Sequence, residues 1–366
     1  MSTRDKNTQT PDKPSFGTAS GPRVGKLSPD RMAALCAGSI GKPDDRLLVG
    51  PGAGLDAAIL ELSDGRVMAV AEDPIFPAVG LPLETFGWFT AHIGASDVAV
   101  TGVKPSHMTY SLLLPPGYPE ADAKRIIDSI SEASRDLGIT IAGGHTGWYG
   151  AVTIPIIGGI TVWGFADKGR WISPGGARGG GARRGVHGPP GGAAALLAVL
   201  RRERLSGKID ATRLERALAR TAEITVVEDA LTAFAAGGVH AMHDATEGGV
   251  LTGIWEISHA AGIPAACDLD AAPVPPDIAA VARVLGFDPW AVISEGTLLA
   301  AVEPASVATV QEALSAKGIP SWVIGRFDSG LAKAEATREG TLKRNGITAP
   351  LVIPAEDPFW ALFSAE

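Results

Sequence analysis

The chain has 366 residues, 45% apolar and 20% charged, enough to bury the cores of two domains and too apolar for global disorder. Its formal charge is −8, and Lys and Arg are not gathered into stripes, which argues against nucleic acid as a main partner. The two cysteines, Cys36 and Cys267, lie far apart, which argues against a disulfide framework or thiolate metal site and fits a reducing compartment.

Residues 1–26 are polar and rich in Ser, Thr, Pro and Lys, the composition of a flexible tail. They contain no apolar core of a secretory signal, and no apolar run approaches the roughly 20 residues of a membrane span. A cytoplasmic location is the expectation. In "LSPDRMAALCAGSI" Ser28 can cap a short helix with Pro29 at its first position. A brief strand, "RLLVG", then leads into "GPGAGLDAAIL". "AAILEL" and "RVMAVAED" flank the turn "SDG" as a hairpin. "LETFGWFTAHIGASDVAVTG" has helical spacing, "HMTYSLLLP" reads as a strand and "PEADAKRIIDSISEASRDLG" as a helix stopped by Gly138. "ITIAGGHTG" and "AVTIPIIGGITVWGFA" complete a first domain over 27–170.

Residues 171–192, rich in Gly, Pro and Arg and without an apolar run, predict an irregular linker. A second domain over 193–330 opens with helices in "AAALLAVLRRERL", "ATRLERALAR" and "ITVVEDALTAFAAGG". It continues through "VHAMHDATEGGVLTGIWEISHAAGI" as strand, loop and helix, and closes on strands "GTLLAAVEP" and "PSWVIGRF" around the helix "ASVATVQEALSAKGI". Residues 331–366 form an extension. The fold class is α+β, or mixed α/β.

The first motif is Gly52-Ala53-Gly54-Leu55-Asp56-Ala57, which fits the G-x-G-x-x-A dinucleotide fingerprint. That fingerprint requires a helix of ten or more residues after the glycines, and only "AAILEL" precedes the next turn. The aspartate carries more information. Asp56, Asp73 in "MAVAEDP" and Asp97 in "HIGASDVAVTG" are three carboxylates in apolar settings, where each costs several kcal/mol unless paired or metal-bound. A shared Mg²⁺, which prefers carboxylate oxygens and bridges to phosphates, accounts for all three, whereas any one alone reads as a cap or ion-pair partner. "AGGHTG" places Gly143 and Gly144 before His145 and Thr146 at a strand end, open to a ligand. In "HDATEGGVLTGIWEI", Thr246-Glu247-Gly248-Gly249 precedes a helix whose free N–H groups can hold phosphate, with Thr246 or Asp244 as the cap in the plainer reading. His240 and His243 share H-x-x-H spacing, but positions i and i+3 of a strand face opposite ways, which disfavours zinc. Walker A, G-x-S-x-G and H-E-x-x-H patterns are absent.

In order and spacing these stretches resemble the superfamily of aminoimidazole ribonucleotide (AIR) synthetase, thiamine-monophosphate kinase, selenophosphate synthetase and the hydrogenase expression/formation protein HypE. "LLVGPGAGLDAAIL" is similar to its G-[DE]-D-A-A element and "GWFTAHIGASDVAVTGVKP" to its [ND]-D-[LIV]-A helix. "IAGGHTG" and "HDATEGGVLTGIWEI" are similar to its G-G-[DEH]-T segment and D-x-T-x-G-G loop. "GKLSPDRM", "GGHTG" and "VISEGTL" resemble the HypE-like, AIR synthase-related branch most.

The resemblance implies a two-domain fold whose N-terminal strands build a β-barrel at a homodimer interface, with Mg-ATP held between the domains. It implies transfer of the γ-phosphoryl group to an amide or carbonyl oxygen, in hydrogenase maturation, and a maturation-complex protein as a partner. Asp56, Asp73 and Asp97 then become metal ligands; Gly54, Asp73, Gly144, Thr146, Asp244, Thr246, Gly248 and Gly249 lie around the nucleotide; His145 and Asp97 are the candidates for catalysis.

Three departures matter. Leu55 stands where relatives carry a second acid. The chain ends "ALFSAE" where HypE proteins end in a reactive cysteine. The stretch 177–192 lacks the G-D-x-[LIV]-[LIV] strand of relatives, so the second domain is expected to be one strand short. A small-molecule kinase resembling thiamine-monophosphate kinase and a non-catalytic nucleotide-binding partner are the alternatives.

Overall fold

The computed structural model describes residues 24–36, 38–77, 80–177, 183–187, 190–328 and 340–364. The tail expected at 1–26 therefore lies outside the described residues up to 23, as does part of the extension. The opening helix is α1 (Pro29–Cys36), with Ser28 accepting from Met32 N–H through its carbonyl. No helix among the described residues is long and apolar enough to cross a membrane.

The first domain is a six-stranded sheet of β1 (Leu47–Val49), β2 (Ala58–Glu61), β3 (Arg66–Ile75), β4 (Pro105–Leu114), β5 (Thr140–Trp148) and β6 (Ile156–Asp167), in the order β1-β2-β3-β6-β4-β5. The expected hairpin is β2–β3, closed where Asp64 accepts from Arg66 N–H at 3.1 Å and Gly65 takes φ +80°. A strand, not a helix, follows the glycine loop, as the short spacing requires. Along β3, Val67, Ala69 and Ala71 point inward at period two. Between β4 and β5, α3 (Glu120–Leu137) makes the crossover that lets those two strands run parallel. The sheet is open within one chain, and β5 is its exposed edge.

The helix α2 (Leu83–Ala99) is buried around most of its circumference, because it fills the space between the sheet and the second domain. Its Phe86, Val98 and Ala99 belong to one apolar cluster with Val227, Ala230 and Ala233 of α7 (Val227–Ala236). Polar contacts reinforce the seam. Val226 N–H donates to Ser96 Oγ at 3.3 Å, and His92 Nδ1 lies 3.0 Å from Thr225 Oγ1. The two domains share a continuous core.

Among the described residues the second domain holds seven strands: β7 (Arg183–His187), β8 (Val239–Asp244), β9 (Ala265–Asp268), β10 (Leu298–Val302), β11 (Ser321–Phe327), β12 (Gly340–Arg344) and β13 (Ile347–Pro350). Their order is β13-β12-β9-β11-β7-β10-β8. This corrects the expectation of a strandless linker over 171–192. The segment supplies β7, paired antiparallel to both β10 and β11 near the middle of the sheet. Its composition hides it, since four of its five residues are Arg, Gly or His and only Val186 has high strand propensity. Backbone pairing to two neighbours substitutes for propensity. The helix α8 (Gly249–Ala261) lies on this sheet, and α9 (Pro276–Leu285) packs with α4 (Ala193–Leu200), α6 (Ala211–Ala219) and the terminal α11 (Pro358–Ser364) in a separate helical cluster. The helix α5 (Arg202–Leu205) links α4 to α6, and α10 (Val307–Ser315) packs on α7.

Val186 pairs with Leu299 and with Trp322, so Val186→Pro removes a ladder bond from an interior strand. It is expected to destabilise the protein by at least about 2 kcal/mol in urea unfolding, whereas a linker would absorb the change with no shift in midpoint.

Candidate functional site

Six carboxylates, one histidine and one lysine from both domains meet where the opening loop crosses α8. Gly54 makes that crossing. It sits at φ +75°, and a Cβ there would lie 2.8 Å from the carbonyl oxygen of Glu256, so only glycine lets the loop close against the helix. The close approach seats the next aspartate, Asp56, against His243, with Nδ1 of the ring 2.5 Å from Asp56 Oδ1. On its other side His243 meets Glu256, Nε2 to Oε2 at 2.7 Å. His243 and Asp244 are the last two residues of β8. Asp73 comes from β3, on the same inward face as Val67, Ala69 and Ala71, just before the register with β6 shifts. Asp97 lies in the last turn of α2 and Glu295 in the loop before β10. Lys26, just ahead of α1, places Nζ 3.4 Å from Glu256 Oε1.

So many buried acids cannot all carry charge. Burial pushes Asp56 up to about 6 against the pull of His243, and raises Asp73, Asp244 and Glu295. Asp97 is driven well above the ordinary carboxylate range by burial and by the negative charge of Asp73, Asp244 and Asp56. Asp73 and Asp97 act on one another in opposite senses, Asp73 pushing Asp97 up and Asp97 drawing Asp73 down, so protonation falls preferentially on Asp97. Glu256 is the exception: burial would raise it, but His243 and Lys26 hold it down at about 2. His243 itself is kept protonated well above its usual range, because Asp56 and Glu256 outweigh the cost of burial.

The donor set fits a hard divalent cation. Asp56 Oδ2 and Asp244 Oδ1 are buried and lack a hydrogen-bond partner, and ligand atoms of Asp56, His243 and Asp244 lie within 4.8 Å of one another. Carboxylate oxygens at this spacing suit Mg²⁺. A charged imidazole between two carboxylates has no lone pair to offer, so His243 is the counter-charge that aims Asp56, and the oxygens of Asp56 and Asp244 are the ones left for a cation.

Four of the residues singled out by sequence thus converge: Asp56, Asp73, Asp97 and Asp244. Others fall elsewhere. His145 and Thr146 sit on the exposed edge strand β5, where His145 contacts the hydroxyl of Tyr149. Gly144, at φ +149°, lets β5 lie against the Tyr110 backbone. The α8 cap is Gly248 in the left-handed conformation, not Thr246 or Asp244. Its expected phosphate-holding amides are occupied. Gly248 N–H donates to Asp357 Oδ2 at 2.6 Å and Gly249 N–H to the Thr246 carbonyl at 3.0 Å. Asp357 also accepts from Phe359 N–H at 2.8 Å, so it starts α11 and anchors it to the loop.

Sequence reasoning missed Lys26, His243, Glu256 and Glu295 as members of the cluster. Glu256 carried a signal, as a lone acid in the apolar stretch "GIWEI" that opposes a histidine on the preceding strand. Removing it takes away one of the two acids that hold a buried imidazolium. Glu256→Ala is expected to cost about 3–5 kcal/mol in urea unfolding, and a loss below about 1 kcal/mol would contradict a buried ion network.

The family model "AIR synthase related protein, N-terminal domain" matches residues 54–166 and the corresponding C-terminal domain model matches 187–333. A carbamoyl dehydratase HypE of Rhizobium leguminosarum bv. viciae is 30% identical over 272 residues, spanning 72% of this chain and 73% of that protein. The crystal structure of a hydrogenase maturation protein HypE in complex with ATP superposes with a TM-score of 0.63 at 22% identity, covering 92% of this chain and 98% of that one. A HypE chain from a HypE–HypF complex superposes with a TM-score of 0.66 at 20% identity, covering 82% and 93%. The two domain models cover more than two-thirds of the sequence in the order the motifs predict, and the chain belongs to the AIR synthase-related family.

Proposed function

We propose that this chain binds Mg-ATP at the interdomain acid cluster and transfers the γ-phosphoryl group to the oxygen of a carboxamide or carbonyl, as a HypE-like protein of hydrogenase maturation. The observation that carries the reading is the pair of buried, unpartnered oxygens on Asp56 and Asp244, surrounded by acids that burial has pushed toward protonation. A divalent cation with a polyphosphate is the ligand whose charges complement that set. The carbamoyl dehydratase relative and the ATP-bound neighbour support the choice of nucleotide and acceptor.

Mg²⁺, when bound, neutralises phosphate charge and aligns the terminal phosphoryl group for in-line attack. The chain's own residues prepare for it. Asp56 and Asp244 would hold the cation, and its positive charge would favour the ionised forms of Asp73 and Asp97, which burial raises. His243, pinned by Glu256, keeps Asp56 from rotating away. Attack by the acceptor oxygen forms one P–O bond while the bond to ADP breaks and ADP leaves with the electron pair. A carboxamide phosphorylated on oxygen can then lose its N–H protons and expel phosphate, leaving a nitrile, which is net dehydration.

Partner contacts follow the same logic. Strand β5 is exposed along most of its length, and Leu47, Leu48 and Phe165 are exposed on the same domain. A second copy covering this sheet makes a homodimer the proposed assembly, the neighbour crystallised with HypF favours a maturation partner, and the cytoplasm is the proposed location.

Asp97→Asn tests the metal account. It is expected to weaken Mg-dependent ATP binding by at least tenfold, about 1.4 kcal/mol, in calorimetry, with the circular dichroism spectrum unchanged. Unaltered affinity would refute a cation-loaded cluster.

A further inference from the structure

The hairpin of β12 and β13 lies beyond both matched family segments, and aspartates on either side of α9 hold it residue by residue. Lys343 Nζ donates to Asp268 Oδ2 at 2.8 Å, and the Arg344 guanidinium grips both oxygens of Asp288. The next two residues are held through the backbone. Asn345 N–H donates to Asp270 Oδ1 at 2.7 Å and Gly346 N–H to Asp270 Oδ2 at 2.9 Å. Arg344 pairs with Ile347, so Asn345 and Gly346 are the whole loop, with φ +52° and +74°. Two positive angles in a two-residue loop make a type I′ turn, the turn that Asn-Gly favours.

Asn-Gly is also the dipeptide whose side-chain amide is most open to the following backbone nitrogen, because glycine puts no side chain in the way. In that reaction the Gly346 nitrogen gives its proton to a base in solution and bonds to Cγ of Asn345. The Cγ–Nδ2 bond breaks, and that nitrogen takes up a proton and leaves as ammonia, so a succinimide remains. Water then opens either of its carbonyls, giving aspartate or, with the main chain rerouted through Cγ, isoaspartate. Asn345 and Gly346 are both exposed to the water this needs. In the folded hairpin, however, the attacking N–H is bonded to a carboxylate. Negative charge beside that nitrogen opposes loss of its proton, and ring closure requires Asn345 to leave the turn. The two amides in turn hold Asp270 below the ordinary carboxylate range, so it stays charged.

We propose that Asn345 is a deamidation site that Asp270 keeps shut, converted when the hairpin opens. Conversion makes reclosure harder. A new carboxylate at 345 meets the charge of Asp270, and an isoaspartate adds a methylene to the main chain of a two-residue turn, which breaks the Arg344–Ile347 register. The disturbance has a path toward the candidate site. From β13 the chain runs through buried Leu351 to Asp357, which holds Gly248 N–H in the loop between β8 and α8.

Incubation in mildly alkaline buffer, followed by peptide mapping in a mass spectrometer, tests it on the folded protein beside a synthetic peptide of residues 343–350. Deamidation at Asn345 is expected to be at least about tenfold slower in the protein than in the peptide, because the turn must open first. Asp270→Ala should recover most of that difference. Asp270→Asn, which keeps an acceptor without the charge, should fall between the wild-type and alanine rates. Thermal unfolding within about 2 °C of wild type separates a lost hydrogen bond from a lost fold, and Asp270→Asn carries the comparison if the alanine variant falls outside that window. A wild-type rate equal to the peptide's, or a rate that neither substitution raises, would overturn the assignment.

Discussion

The structure turns on one electrostatic constraint: carboxylates from two domains share a volume too dry and too small for all of them to ionise. Among the described residues, His243 and Lys26 are the cations set against Asp56, Asp73, Asp97, Asp244, Glu256 and Glu295. The remainder is absorbed by protonation, visible in the Asp73–Asp97 pair and in the raised Asp56. Such an arrangement is costly in isolation, since each unpaired buried acid opposes folding by kilocalories. A bound cation removes the cost. That balance is what the proposed metal–nucleotide role requires.

Much of the surrounding architecture serves to keep these acids together. Burying α2 around most of its circumference places Asp97 among the acids and joins the domains in one core, so the cluster is not divided by a flexible seam. Gly54 lets the opening loop touch α8, and the period-two alternation of β3 puts Asp73 on the inward face. Glu256 and His243 lie on neighbouring elements of the second domain and fix Asp56 across the interface. Asp357 performs a parallel task at the rear, anchoring the terminal helix to the loop that carries Thr246 and Gly248.

The sequence disclosed the individual acids better than their neighbourhood. Asp56, Asp73 and Asp97 stood out because each interrupts an apolar segment, a local signal that needs no tertiary information. The two-domain mixed fold was likewise legible from periodicity and motif order. Strand β7 was not, because "RRGVH" is held by pairing on both sides and its neighbours lie more than a hundred residues later in the chain. The partners at the N-terminus of α8 were hidden for a similar reason. Free amides at a helix start invite phosphate, but Asp357 arrives from the far end of the chain to claim one of them. His145 drew attention by standing at a strand end, where the exposed edge strand offers a plainer account.

The central claim, that the acid cluster is a metal–nucleotide site, is tested most directly by a crystal structure with Mn²⁺ and a non-hydrolysable ATP analogue, using anomalous scattering to locate the ion. The account predicts a manganese peak within bonding distance of the Asp56 and Asp244 carboxylates, bridging to phosphate oxygens. Nucleotide bound elsewhere, or an occupied nucleotide site with no ion at these two aspartates, would contradict it.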